Sequence, residues 1–231
     1  MSGADADAID LNGGFYTVRE AARLLGTDNV QRIVRWLTPS RRGGEPVILR
    51  QYEKIGPQHE IGFLDLLEIR FVEHFRKQKI SLQSLRVAAK NARRELKVTH
   101  PFATSNVKFQ TDRKQVFLES AKETGDRFFL NLMTNQVEIY DTIEHILAKD
   151  LEFDVSGFAN LWRPESHCPN VIISPVFAFG QPVISDRRVP TSAVFRTWKA
   201  EGGDYVAAAE WYRLPRELAE EAVEFELRLA A

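Results

Sequence analysis

Histidine, cysteine and clustered carboxylates are the residues from which most active sites are built, and in this chain their placement argues against catalysis. The five histidines, His59, His74, His100, His145 and His167, are scattered, and no two have the spacing that would set metal ligands on one helix face. His167 and Cys168 are neighbours, but adjacent residues point in different directions on a regular element, and no second pair stands nearby. The glycine pairs at 13–14, 43–44 and 202–203 lack the Walker and dinucleotide patterns. Glu220 and Glu221 are adjacent carboxylates on an amphipathic stretch, where a solvated surface is the ordinary outcome. The expectation is a binding protein without catalytic residue, metal or cofactor.

The chemistry that remains belongs to arginine. Arg19, Gln31, Arg32, Arg35, Arg41, Arg42 and Arg50 crowd the first fifty positions, although the formal net charge of the whole chain is -1. Guanidinium and carboxamide groups on a short helix can meet phosphates and base edges in the DNA major groove. The last thirty residues are acidic instead, with Glu217, Glu220, Glu221, Glu224 and Glu226 in one run. Such a surface repels phosphate and suits a protein partner. Arg187, Arg188 and Arg196 form a smaller basic group just ahead of it, able to meet DNA or a partner's carboxylates.

Local signals say which elements position these groups. Thr17-Val-Arg-Glu20 has capping-box spacing, so a helix starts there; Ala21, Ala22, Leu24 and Leu25 supply its apolar face and Gly26 ends it. Asp28 and Gln31 repeat the capping pattern. A second helix from about Asn29 to Leu37 turns Val30, Ile33, Val34 and Leu37 inward and Gln31, Arg32 and Arg35 outward, and Pro39 stops it. Gly43-Gly44 permits a reversal, and Val47-Ile-Leu49 favours a strand, which together predict a wing beside a helix-turn-helix.

Phe63 to Gln78 reads as a helix whose apolar stripe is broad enough to require burial on more than one side, against the first module or a second copy of the chain. Ser81 caps the next helix. Leu82, Leu85, Ala89, Ala92 and Leu96 form its seam, and Arg86, Lys90, Arg93, Arg94 and Lys97 line another face. From Asn106 to Tyr140 the apolar residues alternate: Val107 and Phe109; Val116 and Leu118; Phe128, Leu130 and Leu132; Val137 and Ile139. With turns at Thr111-Asp112, Thr124-Gly-Asp126 and Thr134-Asn135, this predicts an antiparallel meander, followed by a short helix capped by Asp141. Val183-Ile184 is a strand between Pro182 and Pro190. Three helices follow: Thr191 to Ala200, Tyr205 to Tyr212 behind an Asp204 cap, and Leu214-Pro215 to about Leu229.

The segment Gln181-Pro-Val-Ile-Ser-Asp-Arg-Arg-Val-Pro-Thr191, with the helices after it, resembles the small C-terminal helix-turn-helix domain of many bacterial antitoxin-like proteins encoded beside a PIN-like ribonuclease toxin. Tyr16-Thr-Val-Arg-Glu-Ala-Ala-Arg-Leu-Leu-Gly26 is similar to the opening of MerR-type regulators. Phe63-Leu-Asp-Leu-Leu-Glu-Ile-Arg-Phe-Val72, Ser81-Leu-Gln-Ser-Leu-Arg86 and His100-Pro-Phe-Ala103 resemble the DNA-binding domain of VapB-type antitoxins. The resemblance implies an antitoxin that binds operator DNA as a homodimer and inhibits a PIN-like ribonuclease. On that reading DNA falls to the first arginine group, and the toxin to Arg187, Arg188, Arg196, Glu217, Glu220, Glu221 and Glu224. The alternative is a stand-alone MerR-like regulator whose central sheet senses a ligand.

With 231 residues, 44% of them hydrophobic, the chain can bury an ordinary core. A single cysteine excludes an internal disulfide and fits a reducing cytoplasm, and no apolar run reaches the roughly 20 residues of a membrane span. The expected fold class is α+β. The expected organisation is a disordered leader over 1–15, a MerR-like winged helix-turn-helix with helical extension over 16–100, an antiparallel strand region over 101–170, and a three-helix helix-turn-helix domain over 171–231.

Overall fold

Helix α3, Phe63–Lys77, is the axis around which the computed structural model is arranged; residues 13–27, 29–40, 43–52, 59–104, 108–134 and 150–230 are described. Its start is built by two acceptors. Asp65 accepts the Gly62 amide at 2.9 Å, and the Gln51 side-chain oxygen accepts the Leu64 amide at 2.7 Å, satisfying donors that a helix start leaves orphaned. Gly62 is required by that approach, because a Cβ there would lie 2.2 Å from the same Gln51 oxygen. From Phe63 to Phe75 nearly every side chain is buried, and one chain supplies the cover. The broad stripe therefore needs no second copy.

Ahead of α3 stand α1 (Val18–Leu24) and α2 (Val30–Trp36), preceded by β1 (Tyr16–Thr17), which pairs antiparallel with β2 (Glu60–Ile61). The expected strand at Val47–Leu49 is loop. Its apolar residues are drawn into the core rather than into a ladder: Val47 and Ile48 are fully buried, and the Ile48 amide donates to the Trp36 carbonyl at 3.1 Å. The sheet of this module forms instead between segments more than forty positions apart.

Helix α4, Leu82–Leu96, starts at the Ser81 cap and packs on α5, Lys108–Thr124, which is followed by α6, Arg127–Thr134. Over 108–134 these last two helices stand where the meander was expected from Asn106 to Tyr140. Val116, Phe117, Ser120 and Ala121 are buried at helical spacing, as are Phe129 and Met133, whereas Phe128 is 59% exposed. Short apolar runs satisfy either period, and here the aromatic cluster decides: Phe71, Phe75, Phe102, Phe117 and Phe129 lie 4.2–6.5 Å apart between ring centroids. The turn at Thr124-Gly-Asp126 does form, but as a helix-to-helix turn, with Asp126 accepting the Phe129 amide. No turn interrupts α5 at Thr111-Asp112. Val107, Val137, Ile139 and the Asp141 cap lie outside the described residues.

The small antiparallel sheet is found further along the chain. Strand β3 (Leu151–Phe153) pairs with β4 (Ala159–Trp162), and β5 (Val171–Ile172) pairs with β6 (Val183–Ile184). Two 2.8 Å hydrogen bonds between Trp162 and Ile173 join the two hairpins into one ribbon. Arg70 ties this ribbon to α3, reaching Asp150 at 3.0 Å and lying over the Trp162 ring.

The ribbon leads into three helices: α7 (Thr191–Ala200), α8 (Tyr205–Tyr212) and α9 (Arg216–Ala230). Asp204 caps α8 through the Val206 and Ala207 amides, as its position predicts. Pro190 precedes α7, and buried Thr191 donates its hydroxyl to Glu226. Glu226 is therefore interior, not part of an exposed acidic row.

The first and last modules meet at a seam beside Tyr16. Tyr16 donates its hydroxyl to the Gly180 carbonyl at 2.7 Å, the Phe15 amide donates to the Phe179 carbonyl at 3.1 Å, and α1 packs on α9. Gly180 has φ +82°, and a Cβ there would lie 2.4 Å from the Tyr16 hydroxyl and 2.7 Å from the Gly14 Cα. Gly125 also has a positive φ, but nothing within 4 Å. Gly125→Ala should cost about 1–2 kcal/mol through left-handed strain alone, whereas Gly180→Ala should lose a further ~1–3 kcal/mol through collision. Denaturant unfolding of the two variants measures the difference.

Candidate nucleic-acid interface

The helix pair α1–α2 is shaped by its own caps. The Thr17 hydroxyl accepts the Glu20 amide at 3.2 Å while the Glu20 carboxylate accepts the Thr17 amide at 2.7 Å, the reciprocal pair that its spacing predicts. Gly26, at φ +58°, turns the chain after α1, and the Thr27 amide donates back to Ala22. Asn29 is the cap of α2, accepting the Arg32 amide at 3.0 Å; the expected cap, Asp28, lies outside the described residues. Ile33, Trp36 and Leu37 anchor α2 inward, with Val30 and Val34 half-buried.

What α2 leaves outside is narrower than its sequence suggests. Gln31 and Arg35 are exposed one turn apart, α2 contains no acidic residue, and Arg19 and Arg23 are exposed on α1. Arg32, its side chain 36% exposed, is engaged with the protein: it forms an ion pair with Glu73, whose side chain is only 6% exposed, and lies over the Trp36 ring. Its role is to neutralise a carboxylate buried in α3. Arg50 is half-buried, and Arg41 and Arg42 lie outside the described residues.

The basic face of α4 also divides. Arg93, 10% exposed, donates to the Pro46 and Val47 carbonyls at 3.3 and 3.0 Å and faces Glu45 at 3.5 Å. Arg86 donates to the Arg35 carbonyl at 3.3 Å, and burial lowers its pKa. These two arginines brace the loop after α2 and the end of α2 itself. Lys90, Arg94 and Lys97 remain on the surface. This bracing is not legible in the sequence, since alternation of basic and small residues on a helix does not say which cation faces a carbonyl. Buried Trp36 joins the inward face of α2, and its position three residues after Ile33 is the sequence signal for it.

The C-terminal candidates are likewise sorted. Arg187, Arg188 and Arg196 are exposed; Arg187 lies 3.6 Å from Asp186, and Arg188, at φ +58°, covers the Phe177 ring and donates to the Ser185 carbonyl. On α9, Glu220 pairs with Arg216 at 2.7 Å, and Glu221 accepts both the backbone amide and the side chain of Asn170. Glu217 and Glu224 are exposed, Glu224 lying 3.9 Å from His167. The acidic row is thus partly consumed in holding α9 to its neighbours. Cys168 is buried, and burial followed by Glu224, Glu221 and Glu165 pushes its thiol up to about 11. It stays a thiol at neutral pH, not a nucleophile.

No protein-family model and no curated protein matches this chain. Its structure is similar to the X-ray crystal structure of Rv2018 from Mycobacterium tuberculosis, with a TM-score of 0.68 over 90% of this chain and 96% of that chain, at 19% sequence identity. At that identity the likeness establishes a shared fold, and no more.

Arg32 and Arg35 differ in what each supports. Arg32→Ala leaves Glu73 buried without its cation and should destabilise the fold by about 1–3 kcal/mol, whereas Arg35→Ala should stay within about 0.5 kcal/mol of wild type. Equal unfolding midpoints for the two variants would contradict this assignment.

Proposed function

We propose that this chain is a DNA-binding antitoxin: α1–α2 meets operator DNA for autorepression, and the C-terminal three-helix unit holds a PIN-like ribonuclease toxin. The observation that carries the DNA half is the outward face of α2, where Gln31 and Arg35 stand one turn apart on a helix without acidic residues. A carboxamide matches the two groups of an adenine edge, and a guanidinium matches those of guanine. Arg19 and Arg23, on the neighbouring helix, suit phosphates flanking such a contact. Two chains on a two-fold operator would set their α2 helices one DNA turn apart, about 34 Å.

The toxin half is supported by the resemblance of the Gln181–Thr191 segment and by charge. Exposed Arg187, Arg188 and Arg196 can meet the acidic centre of a PIN-like ribonuclease, and the remaining exposed carboxylates, Glu217 and Glu224, disfavour phosphate on that side. The stand-alone regulator reading would need a ligand site in the sheet. Burial of Val171, Ile172, Ile173, Val183 and Ile184 in the ribbon between α3 and the C-terminal unit supports a structural role for it.

Two measurements test the proposal. In gel shifts with the upstream region of its own gene, Gln31→Ala and Arg35→Ala should each lower discrimination between specific and nonspecific DNA by about 1–3 kcal/mol, and Arg19→Ala should weaken both and flatten the salt dependence by about one phosphate contact. Co-expression with the product of the adjacent reading frame should give a stable complex and restore growth. DNA binding with neither complex nor rescue would leave the regulator reading standing.

A further inference from the structure

Three ionisable side chains meet inside the protein, away from the outward face of α2. Asp65 and Glu68 stand one turn apart on α3 and are wholly buried, and His100, 6% exposed, precedes a single 3₁₀ turn, Pro101–Ala103. His100 Nδ1 lies 3.6 Å from Asp65 Oδ1 and 3.6 Å from Glu68 Oε2. The remaining oxygens hold backbone: Asp65 accepts the Gln51 amide at 3.0 Å and the Gly62 amide at 2.9 Å, and Glu68 Oε1 accepts the Phe102 amide at 3.1 Å. Neither His100 Nδ1 nor Glu68 Oε2 makes a hydrogen bond within the described residues. From α4, Arg93 faces the ring, itself opposed by Glu45.

Two buried carboxylates that face one imidazole repel one another, and a cation between them relieves that repulsion. The protonated imidazole is placed to be that cation. We propose that Asp65, Glu68 and His100 form a proton-sensitive latch: protonated His100 clamps the His100–Thr104 segment and the Gln51 loop onto α3, and loss of that proton loosens both. The latch is independent of the DNA-binding reading and adds a regulatory device to the fold whichever ligand the protein takes.

Burial opposes the charged ring, but the negative charges of Glu68 and Asp65, each 3.6 Å from Nδ1, outweigh it, so His100 holds its proton above the ordinary histidine value. Burial also pushes Asp65 up to about 6. Both groups bind a proton more tightly in the folded chain than in the unfolded one. The His100 contribution is complete below its unfolded value and is lost as pH rises through its folded value; the Asp65 contribution is lost as pH rises through about 6. The two act in the same direction, so the cluster favours the fold more at mildly acidic than at alkaline pH.

The test is a proton NMR titration of the His100 ring in the full chain, alongside hydrogen-exchange protection of the Gln51 and Phe102 amides corrected for intrinsic rates. The His100 midpoint is expected above 6.5, lowered by Glu68→Gln, with protection of both amides falling through the wild-type midpoint. The folding equilibrium should change by up to roughly tenfold per pH unit there, and His100→Gln should flatten that slope. A wild-type midpoint at or below 6.5, or protection unchanged across it, overturns the latch, and these two readings need no variant to fold.

Discussion

Burying charge along one helix is the constraint on which the rest of this structure depends. Helix α3 carries Asp65, Glu68 and Glu73 into the interior, at 0%, 0% and 4% exposure. An uncompensated buried carboxylate is among the costliest features a fold can contain, so each must be met. Asp65 is met by the Gln51 and Gly62 amides, Glu68 by Phe102 and His100, and Glu73 by Arg32. The partners come from the loop after α2, the segment after α4, and α2 itself. The polar demands of one helix thus set the position of the helix-turn-helix and its surroundings.

On the proposed DNA-binding reading, position has functional weight because groove recognition is a matter of geometry. A helix that enters a groove must be held rigidly. Here α2 is held from three sides: Trp36 in the core, Arg32 to Glu73, and Arg86 to the Arg35 carbonyl. The arginines that do this are half-buried and engaged with the protein, whereas Gln31 and Arg35 are exposed. The seam at Tyr16 and Gly180 adds a fourth constraint, joining the strand ahead of α1 to the turn ahead of the C-terminal helices.

Local signals were legible wherever one interaction spans a few residues. The Thr17–Glu20 capping box, the Ser81 and Asp204 caps, the reversal at Gly26 and the three C-terminal helices all formed where spacing put them. The alternation over 108–134 is ambiguous because Val116, Leu118, Phe128, Leu130 and Leu132 fit a two-residue period as well as a helical one. Only the cluster around Phe117 and Phe129 separates the two. The supposed wing failed for a related reason: Val47 and Ile48 favour strands, but a buried niche against Trp36 and Arg93 accepts them as loop.

By itself the sequence determined the α+β class, the caps and turns, the helix-turn-helix near Tyr16 and the three-helix unit after Pro190, since each rests on backbone donors satisfied within one or two turns. Only the tertiary structure decided which arginines are outward. Charge on a helix surface is periodic and says nothing about what lies across from it; Arg32 and Arg35 look equivalent until Glu73, 41 residues from Arg32, is placed beneath one of them. The same holds for Asp65, Glu68 and His100, whose meeting depends on how the chain returns to α3 after α4.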